Sequence, residues 1–105
     1  MFQDINKQGF VYITSNKNRT TFYIGVTSNI EQRVYEHKTG VFGGFTNKYN
    51  CHELVYYEEI QGMANAINRE KQLKNWKREW KIELIKKENP EMKDLSAGWF
   101  NEHDY

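Results

Sequence analysis

With 105 residues and 12.6 kDa, the chain has room for one hydrophobic core and not for two. One cysteine, Cys51, excludes a disulfide framework or a Cys-rich zinc module, and 15 basic against 14 acidic residues (net +1) select no class of partner. No apolar run approaches the ~20 residues of a membrane span and the opening MFQDINKQGF lacks a signal peptide's apolar segment, so the expectation is a single cytoplasmic domain over 1–105 without a membrane partner.

The core must come from rings: 15% of the residues are aromatic although only 38% are hydrophobic. Residues 9–14 (GFVYIT) form a β-rich run that stops at the polar turn formers of residues 15–18. Residues 21–26 (TFYIGV) follow at once, which predicts an antiparallel hairpin. Thr27, Ser28 and Asn29 then offer N-caps and Gly40 a C-terminal stop for a short amphipathic helix, with Ile30 and Val34 on one face and Arg33 and His37 on another. Residues 40–52 hold three glycines and no helical period, and are expected to be a loop with exposed aromatics. Residues 53–58 (ELVYYE) read as a third strand. A helix is expected from Met63 to about Asn75, with Met63, Ala66, Ile67 and Leu73 on one side, and another over residues 77–88, ended by Pro90. The tail from Ser96 has no pattern and is expected to be loosely held. Three short strands with helices between and after them make a small α/β (α+β) sandwich.

The near-zero net charge hides an asymmetry. Residues 69–87 carry eight basic and three acidic side chains, net +5, whereas residues 88–105 carry one basic and five acidic, net −4. A basic helical stretch interleaved with Trp76 and Trp80 suits a phosphate backbone. A solvated helix whose lysines pair with Glu79 and Glu83, with both tryptophans in the core, accounts for the same pattern. Tyr12 and Tyr23 fit their strands as ordinary β residues, and Glu70 with Lys74 at i+4 fits an ordinary helix ion pair. His52 and His103 have no partners at metal-ligand spacing, and no phosphate-binding glycine loop or Ser/His/Asp signature occurs.

The order of these residues adds what none of them shows alone. Val11-Tyr12-Ile13, then Phe22-Tyr23-Ile24-Gly25-Val26-Thr27, then Gln32-Arg33-Val34-Tyr35-Glu36-His37-Lys38 resembles the GIY-YIG nuclease superfamily. Gly44-Phe45-Thr46, residues 54–58 (LVYYE), residues 66–74 (AINREKQLK) and Asn89-Pro90-Glu91 follow in the order of its small single-domain branch, related to the nuclease domain of the excinuclease C subunit. The resemblance covers about residues 9–95. Its first motif departs from the namesake, with Val-Tyr-Ile for Gly-Ile-Tyr, but the tyrosine is kept.

The resemblance implies a three-stranded antiparallel sheet flanked by helices and a DNA phosphodiesterase using one divalent ion, Mg²⁺ or Mn²⁺, with no small-molecule cofactor. By the same resemblance Tyr12 and Tyr23 correspond to the paired catalytic tyrosines, Arg33 to the helix arginine and Glu70 to the metal-binding glutamate. His37 corresponds to a histidine near the water-activating tyrosine, and Asn89 to a late asparagine. Tyr12 is the preferred base, with Tyr23 hydrogen-bonded beside it. Lys71, Lys74, Lys77, Arg78 and Lys81 are candidates for DNA backbone contacts, and Trp76 and Trp80 stay with the core. The expected protein is a monomer or weak dimer that cuts DNA with little sequence specificity or by structure, in repair or recombination. A fold-related module that binds nucleic acid but cuts poorly, and a protein-interaction domain using the aromatics of residues 42–49, are the alternatives.

Overall fold

The computed structural model describes residues 8–100; His103 lies outside them. Strands β1 (Gln8–Ser15) and β2 (Phe22–Thr27) form the expected hairpin, and β3 (Glu53–Gln61) runs antiparallel on the other side of β1. The sheet order is therefore β2-β1-β3, with β1 central and two edges of different character. Helices α1 (Ile30–Thr39), α2 (Gly44–Lys48), α3 (Met63–Lys74) and α4 (Arg78–Glu88) complete the fold.

Strand periodicity divides the core in two. Val11 and Ile13 point to one face, where they pack with Ile24, Val55, Tyr56, Ala66, Leu73 and Ile85 beneath α3 and α4. Tyr12 points to the other face and packs with Ile30, Val34 and Leu54 beneath α1. Gly9 permits the close approach of α3, because a Cβ there would lie 2.5 Å from the Ala66 Cβ.

The helix ends of α1 follow the sequence signals. Asn29 Oδ1 accepts the Gln32 amide at 3.1 Å, and Gly40 closes the helix in the left-handed region at φ 79°. Five expectations need correction. Residues 40–52 are not all loop: Gly43 and Gly44, both at positive φ, lead into α2, where Thr46 is buried and its hydroxyl donates to the Gly43 carbonyl. Trp80 is 48% exposed and lies outside the core, although Trp76 packs against it. Ile67 turns outward instead of sharing the buried side of α3. Glu79 and Glu83 form no ion pairs among the described residues. Residues 96–100 are not loosely held: Ser96 is fully buried, and Trp99 and Phe100 pack against the Tyr12 cluster.

That tail is anchored by one carboxylate. Asp94 Oδ1 accepts the Leu54 amide at 3.0 Å together with the amide and hydroxyl of Ser96, while Oδ2 takes the Lys38 ammonium at 2.8 Å. Burial pushes the Asp94 pKa up, but the hydrogen bonds from Lys38 and Ser96 outweigh it and hold the carboxyl below its ordinary value.

Candidate active site

The site grows from one close approach between neighbouring strands. Tyr12 stands opposite Gly25, and its ring lies directly over that glycine: a Cβ on Gly25 would meet the phenol carbon and oxygen at 2.4 Å. Without a side chain at 25, the Tyr12 hydroxyl reaches the underside of α1. There it meets His37 Nε2 at 2.9 Å. Both side chains are fully buried.

Three rings close around His37, with centroids at 5.4 Å for Tyr12, 5.6 Å for Tyr23 and 4.4 Å for Phe42. The second histidine, His52, bonds through Nδ1 to the His37 backbone carbonyl. Burial, with the nearby charges of Arg33 and His52, depresses His37 to a pKa of about 4, so it is neutral at pH 7. Burial also raises Tyr12 well above the ordinary tyrosine value, against the opposing pull of the Arg33 guanidinium. His37 Nδ1 is buried and has no hydrogen-bond partner among the described residues. Tyr12 therefore pairs with His37 and not with Tyr23, which is its ring neighbour at 6.3 Å.

Arg33 sits one turn before His37 on α1. Its Nε holds Glu36 at 3.2 Å, its guanidinium lies 4.8 Å over the Phe42 ring, and it borders a polar hollow of about 210 Å³ with Thr27, Asn29 and Gln32. Glu70 belongs to α3, on the other side of the sheet, in the sheet-facing stripe between Ala66 and Leu73; its side chain is only 13% exposed. The Lys74 ammonium pairs with it at 2.6 Å. Lys74 in turn shares a cleft with Tyr23, which ties the α3 carboxylate to the tyrosine side of the molecule.

Asn89 is different. Its amide nitrogen donates to the carbonyls of Val55 and Lys93, and its oxygen accepts the Lys93 amide. The side chain braces backbone at the β3 edge and makes no contact with the Tyr12–His37 pair among the described residues. The five basic candidates also separate. Arg78 donates to the Thr20 carbonyl and covers Phe22, Lys77 lies over Trp80, Lys74 pairs with Glu70, Lys81 borders the cleft beside Tyr23, and Lys71 is exposed. Sequence reasoning missed the rings of Phe42 and Phe45 as neighbours of His37 and Tyr23, reading those aromatics as surface features. Their signal was present as glycine-flanked aromatics immediately after the histidine helix. A largely apolar hollow of about 350 Å³ between Trp76, Trp80 and Leu84 holds none of the site residues.

Comparison with known proteins agrees with this arrangement. A family model described as the GIY-YIG catalytic domain matches residues 8–83. A UPF0213 protein of Syntrophus aciditrophicus is 36% identical over 85 residues, 80% of this chain and 95% of the relative. One of Staphylococcus haemolyticus is 32% identical over 76 residues, 72% of this chain and 92% of the relative. The solution NMR structure of the UPF0213 protein BH0048 from Bacillus halodurans superposes with a TM-score of 0.54 at 20% identity, covering 90% of this chain and 99% of that one, and shares the fold. A buried tyrosine crossing the glycine of the second strand, a helix carrying arginine and histidine above it, and the match over most of the chain lead to one conclusion: the protein belongs to the GIY-YIG family of nuclease domains.

Proposed function

We propose that the protein is a divalent-metal-dependent endonuclease that hydrolyses phosphodiester bonds in DNA, with little sequence specificity. The observation that carries this reading is the buried Tyr12–His37 hydrogen bond beside Arg33. Neutral His37 holds the Tyr12 hydroxyl through Nε2, and the Arg33 guanidinium beside it favours the phenolate that would take a proton from the attacking water. Arg33, planar and permanently charged, suits paired phosphate oxygens as charge builds in the transition state. Tyr23 lines the approach to the phosphate.

Among the described residues no three His, Cys, Asp or Glu side chains gather, so a metal here would rest on a single carboxylate. Mg²⁺ prefers hard oxygen ligands and keeps most of its waters, so the half-buried Glu70 carboxylate suffices as its protein ligand, with Lys74 yielding its place. When bound, the ion acts as a Lewis acid and stabilises the leaving 3′ oxygen. Lys71, Lys77 and Lys81 supply sequence-independent contacts to neighbouring phosphates. Membership of a DNA-cutting family supports DNA as the substrate, and among the described residues no helix is long and apolar enough to cross a membrane.

The test is cleavage of supercoiled plasmid and of branched DNA with Mg²⁺ or Mn²⁺, against EDTA. Glu70→Ala is expected to abolish cleavage while leaving DNA binding nearly unchanged and lowering the melting temperature by only a few degrees, since the Lys74 partner is half exposed and such a pair contributes on the order of 1 kcal/mol. Full activity in Glu70→Ala refutes the metal role.

A further inference from the structure

Phe22, Tyr23 and Ile24 are consecutive in a strand, so their side chains alternate between the two faces of the sheet, yet all three border one cleft. β2 is an edge strand, and the cleft lies along that edge, bordered also by residues of α2, α3 and α4. The cleft, of about 290 Å³, has two dissimilar banks. On one, Phe45 of α2 stands over Tyr23 with centroids 6.1 Å apart and planes inclined by 32°, and Tyr49 continues the row 4.6 Å further on. Phe45 is 46% exposed, an unusual state for a phenylalanine held among other rings. On the other bank lie Lys74 of α3 and Lys81 of α4, with Arg78 covering Phe22 nearby.

We propose that this β2-edge cleft is a nucleobase subsite, which takes one unstacked base of a single DNA strand against Phe45 and Tyr23 while Lys74 and Lys81 hold the flanking phosphates. Exposed aromatic faces beside a line of cations are the combination that binds single strands, because every base has a π-face and every linkage a charge. A duplex offers base edges in its grooves and keeps the faces stacked, so the exposed Phe45 ring has nothing to engage there. As an edge strand, β2 also leaves main-chain donors and acceptors unpaired beside the cleft. The lysines argue for a polyanion over an apolar protein segment. That this base neighbours the bond to be cut rests on the nuclease reading above; the subsite itself does not.

The test reads binding in EDTA, where neither metal nor cleavage enters. A labelled oligothymidylate and a duplex of the same length are titrated with the wild-type protein, Phe45→Ala and Phe45→Trp. The wild type is expected to favour the single strand. Phe45→Ala should weaken it about tenfold or more, with duplex affinity changed less than about twofold and the melting temperature unchanged, and Phe45→Trp should restore binding. A single abasic position scanned along the strand should weaken the wild type at one register and leave Phe45→Ala indifferent. Equal losses for strand and duplex, no rescue by tryptophan, or an abasic cost that persists in Phe45→Ala would each overturn the subsite. Absence of cleavage with intact Phe45-dependent binding would refute the nuclease reading alone.

Discussion

Along β3, the Leu54 amide donates to Asp94, its carbonyl accepts the Leu95 amide at 2.7 Å, and the Val55 carbonyl accepts Asn89. Along β2, on the opposite edge of the same sheet, no group among the described residues bonds the main chain of Phe22–Thr27 except the partner strand β1. One edge is closed by the chain's own tail; the other is left open between rings and lysines. A bare edge invites pairing with other chains, and nearby lysines discourage that pairing while they attract phosphate. The difference separates two jobs: the β3 edge holds the fold together, and the β2 edge, next to Tyr23, is where a ligand has access.

The comparison breaks most visibly at Asn89. Asn89→Ala removes three backbone hydrogen bonds at a buried position and strands their partners, a loss on the order of 4 kcal/mol and roughly 20 °C in melting temperature. Well below that melting point the folded variant should still cut DNA at close to the wild-type rate. Urea denaturation and a low-temperature cleavage assay check both halves; a stable but inactive variant would place Asn89 among the catalytic groups.

His37 gives a smaller, pH-dependent effect on the open side. Its folded pKa of about 4 lies below the unfolded value of 6.5, so the unfolded chain binds the proton first as the pH falls. Stability is complete above about pH 6.5 and declines towards pH 4, by up to about 3 kcal/mol in all. His37→Gln, which keeps an acceptor for Tyr12, should flatten that decline in thermal melts between pH 6.5 and 5. An unchanged slope would mean that His37 is not the buried neutral group described.

How much of this was legible in the sequence follows from how local each interaction is. The α1 caps, Asn29 and Gly40, act within four residues and could be read directly. The hairpin and third strand were legible from alternation and turn residues, although β3 runs on to Gln61, past the expected end. Helix α2 was hidden because Gly43 and Gly44 signal a turn, whereas here they supply the positive φ that starts a short helix. The tail was hidden because its anchor is distant: Asp94 reaches Lys38 and Leu54, 56 and 40 positions away. In the site, motif order singled out Tyr12, Tyr23, Arg33 and His37 as candidates but not which of them touch. The Tyr12–His37 bond spans 25 positions and depends on the absent side chain of Gly25, a constraint visible only once two strands are paired. Asn89 is the reverse case: a family position suggested chemistry, and its hydrogen bonds, which span 34 positions to Val55, could not be read from the sequence.

The most direct measurement of the central claim is single-turnover cleavage by Tyr12→Phe, paired with its thermal melt. Phenylalanine keeps the ring across Gly25 and removes only the hydroxyl that meets His37. The account predicts a stability loss of about 1 kcal/mol and a cleavage rate lower by roughly 10²–10⁴. Cleavage at the wild-type rate would contradict it and leave Tyr12 as a core tyrosine.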